Sequence, residues 1–240
     1  MSNSLVLTKE IDKGILSVQI NNDKKRNALS DSIKYDLERI ALDLRDNTDI
    51  QIVILSGSDG NFTSGNDIKE KHAFGVGLDL ANARMHNRLG LRMCNAWTNI
   101  PQVSIASIEG ACIGGGISLA LSCDFRYCSK DAYFYAPEVD LGIPYAWGTL
   151  PKLLSIVGPV KAKLIGLACK KVLSDEIFNW GLCEDISDNP FKSAKIFARE
   201  LIKRPKIPQQ MVKESINRLV NQEEISLYEQ DQVLLTIRDN

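Results

Sequence analysis

The chain has 240 residues, 44% of them hydrophobic and 25% charged, which suits one soluble α/β domain with a full core. Its formal net charge of −1 leaves no global basic field, which argues against nucleic acid and anionic membrane as partners. The opening "MSNSLVLTKEID" has no long apolar run or Arg-rich segment, and Glu109 and four glycines interrupt the longest apolar stretch, Val103 to Cys123; a cytoplasmic protein without a membrane span is expected.

In chain order, "GILSVQIN" (14–21) alternates apolar and polar residues and predicts a strand. "SDSIKYDLERIALDLRDN" follows, with Ser30 as N-cap and Ile33, Leu37, Ile40, Ala41 and Leu44 on one face of an amphipathic helix. "IQIVILSG" (50–57) has the nearly continuous β-branched run of a strand covered on both faces, and a polar loop comes after it. Residues 81–97 predict one helix with Leu89, Met93 and Trp97 toward the core, and "PQVSIASIEG" (101–110) a second buried strand. Gly114, Gly115 and Gly116 then open a helix running from Gly115 to Leu121. "DFRYCSKDAYFYAPEVDLG" predicts two short strands and a loop, and from Gly148 onward the pattern is mostly helical, through "PQQMVKESINRLVNQEEISLYEQDQVLLTI". There is no internal repeat and no low-complexity linker, so one β/α core with a helical C-terminal part is the economical reading.

Six cysteines, at 94, 112, 123, 128, 169 and 183, form no C-x-x-C pair and sit mostly in apolar runs, as reduced core thiols do. The two histidines, His72 and His86, lie in polar, exposed-looking surroundings. A His-rich metal site and a Ser-His-Asp triad are therefore not expected.

Two loops stand out because each follows a buried strand, where ligands gather in an open β/α core. "NFTSGNDIKE" follows the strand at 50–57, and "ACIGGG" follows the strand at 101–108. Each glycine at a helix entrance lowers helix stability by about 1 kcal/mol relative to alanine, so three in a row need a reason. Close backbone packing is one reason. The other is that bare N–H groups at a helix start approach a negative oxygen, and two such donors converging would form an oxyanion hole.

The ordered series of motifs resembles the crotonase superfamily, the enoyl-CoA hydratase/isomerase family. "KKRNALS" (24–30) is similar to its N-terminal CoA segment, and "FTSGNDIKE" (62–70) to its G-x-D-I-K-E-like loop. Residues 100–158, from "IPQVSIASIEGACIGGG" to "LLSIVG", follow its signature with few gaps. The resemblance implies a crotonase-like (ββα)n spiral core over residues 1–190 and a helical C-terminal region over 191–240 within the same unit. It places an oxyanion hole on the backbone N–H groups of Asn66 and Gly115, with Gly114 beside them. Ala28, Ser64, Asn66 and Ile68 would lie along the adenine and pantetheine of a CoA thioester. Lys25 and Arg26 would meet CoA phosphates; as residues alone they read equally well as a solvated loop. Coenzyme A enters as part of the substrate, and no separate cofactor is implied.

Hydratases of this family resemble one another in using two glutamates. Here one of those positions is Ser118 and the other is Glu138, in "APEVDLGIP". One carboxylate suffices to carry a proton from C2 to C4 of a 3-enoyl thioester, so the resemblance favours a Δ3,Δ2-enoyl-CoA isomerase using Glu138. Hydration, decarboxylation or hydrolysis, with water placed by Ser118 or Asp140, is the alternative, as is a catalytically weak acyl-CoA-binding homologue. "CDFRYCSKDAYFYAPEVDLG" also resembles the dienoyl-CoA isomerase branch, which places aspartates where this chain has Ser118 and Ala146. Tyr145 and Trp147 either wall the acyl pocket or pack on a neighbouring subunit. Relatives continue past the last helix for about 20 residues, as a short helix and its loop require. A looser hold on CoA is expected without them. The resemblance also implies a homotrimer or a dimer of trimers.

Overall fold

The computed structural model describes residues 4–220. In chain order it contains β1 (Val6–Asp12), β2 (Ile15–Ile20), α1 (Asp31–Arg45), β3 (Ile52–Gly57), α2 (Leu80–Asn87), α3 (Leu89–Thr98), β4 (Val103–Ile108), β5 (Ala111–Ile113) and α4 (Gly115–Ala120). There follow β6 (Phe125–Ser129), β7 (Tyr133–Tyr135), α5 (Thr149–Gly166), β8 (Val172–Leu173), α6 (Ser174–Asn179), β9 (Asp185–Ser187), α7 (Pro190–Leu201) and α8 (Lys206–Val220). The helical reading of "NQEEISLYEQDQVLLTI", and the part of the C-terminal region beyond residue 220, lie outside the described residues.

Strand chemistry sets the layers. Every residue of β4 is buried, and in β3 only Gly57 is not, as strands covered on both faces require. Side chains alternate between the two covers. Val53, Leu55, Ala106 and Ile108 join the larger core cluster, with Leu37, Ala41, Met93 and Trp97 of α1 and α3. Ile52, Ile54, Val103 and Ile105 turn the other way, onto Ala194 and Ala198 of α7. The large sheet has the order β1-β2-β3-β4-β6-β9, antiparallel between β1 and β2 and parallel elsewhere. A smaller sheet, β5-β7-β8, stands beside it.

Several details differ from the sequence expectations. The helix expected over 81–97 is two helices meeting at Arg88, and α5 is interrupted at Gly158, whose φ of +72° precedes Pro159. Strand β1 has a buried side chain only at Val6; as a sheet edge it lacks the alternating apolar signal of β2. β5, β8 and β9 have three residues or fewer, too short for a period to show. Five cysteines are buried, Cys169 is half-buried, and all six are free thiols. No helix among the described residues is long and apolar enough to cross a membrane.

Candidate active site

Strands β3 and β4 are parallel, so the loops that leave them emerge at the same end of the sheet. Those loops are laced together by Phe62 N–H to Glu109 O (2.8 Å), Thr63 N–H to Ala111 O (2.9 Å) and Ile113 N–H to Thr63 O (3.1 Å). The segment before α1 joins through a bridge between Leu29 and Asn66. Asn27 fastens all of this. It is fully buried, donates to Ser58 O (2.8 Å) and Asn61 O (2.7 Å), and accepts from Asn22 N–H (2.9 Å).

Gly65 marks where the loops touch. Its φ is +86°, and a Cβ there would stand 2.5 Å from Ile113 O and 3.5 Å from the Gly115 nitrogen. Among the described residues, neither the Asn66 nor the Gly115 backbone N–H has a protein acceptor. Gly115 is the first residue of α4, where such a donor is left over by helix geometry.

Each glycine of the triplet answers to a different neighbour. A Cβ on Gly114 would stand 2.6 Å from Glu138 Oε1, one on Gly115 2.2 Å from the Trp147 ring, and one on Gly116 2.5 Å from Thr63 Cγ2. Gly114 also has a φ of +51°, a region that L side chains rarely adopt. Close packing and unpaired N–H groups, alternatives in the sequence, occur together.

These elements surround a cavity of about 770 Å³. It is lined by most of the residues singled out from the sequence: Lys25, Arg26, Ala28, Ser64, Asn66, Ile68, Gly114, Gly115, Ser118, Glu138, Tyr145 and Trp147. Asp140 is not among the lining residues; it is exposed and accepts from the Tyr135 hydroxyl at 3.2 Å, which withdraws it as a water-positioning group. Glu138 differs from the other acids. Its Oε2 is buried without a hydrogen-bond partner, and burial pushes its carboxyl up to about 7. Its own backbone N–H opposes that shift weakly. Asp67, the other carboxylate in the lining, is held by Lys25 Nζ at 2.7 Å.

The nearby hydroxyl protons are all committed to the protein. Thr149 Oγ1 donates to Ala146 O at 2.7 Å, so in its contact with Thr149 the Ser118 hydroxyl is the donor. Tyr145 is buried and donates to Gly114 O at 3.1 Å. Burial, then the nearby Glu138 charge, pushes its phenol well above the ordinary range. Trp147, at φ +60°, packs its ring where Cβ atoms on Gly90 and Gly115 would otherwise sit, which makes it a cavity wall.

Sequence reasoning missed Lys34 and His86. Lys34 falls on the apolar stripe of α1 with Leu37 and Ala41, and its side chain is 5% exposed. A charge inside that stripe was the available signal. Its Nζ lies 2.8 Å from Asp31 Oδ1 and donates to Asn66 Oδ1 at 2.9 Å. His86, expected at the exposed surface, is instead mostly buried, with Nδ1 3.3 Å from Asp31 Oδ2. Both line the cavity. Lys24 and Lys69 join Lys25 and Arg26 at its cationic rim, and Lys25 has a buried partner rather than being freely solvated.

The fold is that of solved crotonase-type structures. It superimposes on an enoyl-CoA hydratase from Bacillus anthracis with a TM-score of 0.89 at 22% identity, over 99% of this chain and 92% of the other. A family model described as enoyl-CoA hydratase/isomerase matches residues 10–238. The chain belongs to the enoyl-CoA hydratase/isomerase family, a family of crotonase-type enzymes. It is 35% identical over 189 residues to the peroxisomal Delta(3,5)-Delta(2,4)-dienoyl-CoA isomerase of Arabidopsis thaliana, covering 75% of this chain and 68% of that protein. With the mitochondrial enzyme of that name from Rattus norvegicus the identity is 34%, and the match spans 71% of this chain but only 54% of the relative. A crotonyl-CoA hydratase of Syntrophomonas wolfei is 32% identical over 76% of this chain and 68% of its own length.

Proposed function

We propose that the protein binds an acyl-CoA thioester and moves a double bond, as a Δ3,Δ2-enoyl-CoA isomerase with Glu138 as its single proton carrier. The observation behind this reading is the unpartnered, buried Glu138 oxygen beside Gly114, in the cavity that Asn66 and Gly115 line. The thioester oxygen sits against the two free N–H groups, which stabilise it as negative charge develops. Ionised Glu138 removes a proton from C2, giving a dienolate; the same carboxyl returns that proton to C4, and the double bond ends between C2 and C3. A carboxyl near pKa 7 is matched to both halves of this cycle at neutral pH. The rim of Lys24, Arg26 and Lys69 supplies charge for CoA phosphates.

Hydration is disfavoured because the described residues that line the cavity offer no second free acid. Ser118 gives its proton to Thr149, and Asp67 is paired with Lys25. Similarity to proteins named dienoyl-CoA isomerase favours a second reading, a proton shift along a conjugated diene. That longer shift calls for groups at both ends, and the lining has Ser118 and Ala146 where that branch places aspartates.

Purified protein assayed with 3-enoyl-, 2-enoyl- and 3,5-dienoyl-CoA separates the readings. Isomerisation of the 3-enoyl thioester that collapses in Glu138→Gln, with little hydration, is the expected result. Hydration that survives Glu138→Gln would sink the proposal. The same resemblance proposes a trimer or dimer of trimers, which light scattering checks directly.

A further inference from the structure

We propose that the acyl group this site takes bears a free carboxylate at its far end, received by Lys34 and His86. The inference rests on the acyl-thioester reading above and adds the chemistry of the acyl chain.

A buried ammonium is costly unless charged or hydrogen-bonding groups surround it. The protein meets part of that need at Lys34, through Asp31 Oδ1 at 2.8 Å and Asn66 Oδ1 at 2.9 Å. An ammonium has three protons, and at least one of these has no acceptor among the described residues. Its other close neighbour is the Trp147 ring, 5.7 Å away. His86 turns Nδ1 toward the second Asp31 oxygen and also lines the cavity, whereas Asp31 does not. The cavity is thus offered an ammonium and an imidazole, with their shared carboxylate behind them.

Position separates this pair from the phosphate rim. Lys34 touches Asn66, whose N–H faces the thioester oxygen in the proposed reading, and Trp147, which packs on Gly115. Both contacts belong to the acyl end of the cavity. Lys24, Lys25 and Arg26 precede α1 in the chain, and Lys25 is already paired with Asp67, a carboxylate that the Lys34 charge also reaches. A plain alkyl chain lying against Lys34 would cover its remaining N–H with hydrocarbon. A carboxylate on a short acyl chain would accept it as a charge-assisted hydrogen bond.

Saturated thioesters, which cannot isomerise, provide the test. Calorimetry compares CoA, pentanoyl-CoA and glutaryl-CoA on the wild-type protein and on Lys34→Met and His86→Leu variants. Glutaryl-CoA should bind about tenfold or more tightly than pentanoyl-CoA, the step that one charged hydrogen bond supplies. Lys34→Met should erase that preference and His86→Leu should reduce it, with CoA binding retained as evidence that each variant is folded. Equal or tighter binding of pentanoyl-CoA to the wild type overturns the proposal without recourse to any variant. So does a Lys34→Met variant that weakens both acyl thioesters equally, since the cation would then serve the shared thioester. If CoA and both thioesters all fail to bind the wild type, the acyl-thioester reading falls as well, a result distinct from losing the preference alone.

Discussion

Two sets of polar side chains near the glycine triplet are chemically opposite. In one set, Ser118, Thr149 and Tyr145, each hydroxyl donates its proton to a group of the protein. In the other, Glu138 has a buried oxygen with no partner among the described residues. A hydroxyl whose proton is committed is held in place and has no acid to offer a substrate. An orphaned oxygen is destabilised until something else approaches it. In the proposed reading this contrast, rather than residue identity, singles out Glu138 over Ser118, because serine and glutamate are both plausible participants on paper.

The strongest way to break the contrast is to remove its reactive member. Glu138→Gln preserves shape and removes the base, so kcat for 3-enoyl isomerisation should fall by about 10²–10⁴-fold, the range of general acid–base catalysis. Next is Gly114→Ala, whose Cβ would stand 2.6 Å from Glu138 Oε1 on a backbone with φ +51°. Displacing the carboxylate should lower kcat/KM by about 10–100-fold, since misplacement of about 1 Å is enough for such losses. A pH profile sharpens the comparison without mutation. Because burial raises Glu138 to about 7, kcat/KM should fall about tenfold per pH unit below that value and level off above it.

The same shift has a stability consequence of defined sign. The folded state favours protonated Glu138, so its contribution is fully present below 4.5 and is lost as pH rises through about 7. Glu138→Gln should therefore gain thermal stability relative to wild type above pH 7 and show no such gain near pH 4. The smallest effect belongs to the hydroxyl set. Ser118→Ala removes one hydrogen bond and should lower stability by about 1 kcal/mol while changing kcat less than about threefold. A large loss of rate there would erase the distinction between the two sets.

Much of this site was legible in the residues because it is built from backbone. Gly65, Gly114 and Gly115 declare themselves through the rules that make glycine unusual beside a helix, and Glu138 through the resemblance of its loop to the family motif. The buried strands β3 and β4 were equally plain, since double-sided burial leaves a continuous apolar run. Lys34 was not legible. Helix periodicity assigns that position to the core; Asp31 is a local partner one turn earlier, but Asn66 and Trp147 are brought to the ammonium only by the fold. Asn27 was hidden for a similar reason: its partners Ser58 and Asn61 are remote in sequence and near in space. Asp140 shows the opposite failure, a plausible spacing from Glu138 that the turn at 138–143 directs away from the cavity.

The seat of Trp147 ties three positions into one inheritance. Any side chain at Gly90 or Gly115 would meet the indole, their notional Cβ atoms lying 1.9 Å and 2.2 Å from its ring. Neither glycine is free to change while the tryptophan stands, so the first permissible step is at Trp147 itself. A lineage, or a designer, wishing to reshape the acyl end must travel in that order: shrink the ring first, then populate the glycines. Substitutions at 90 and 115 that are harmful in this background should become tolerable in Trp147→Ala, a sign reversal that records how this pocket could have diverged from its relatives.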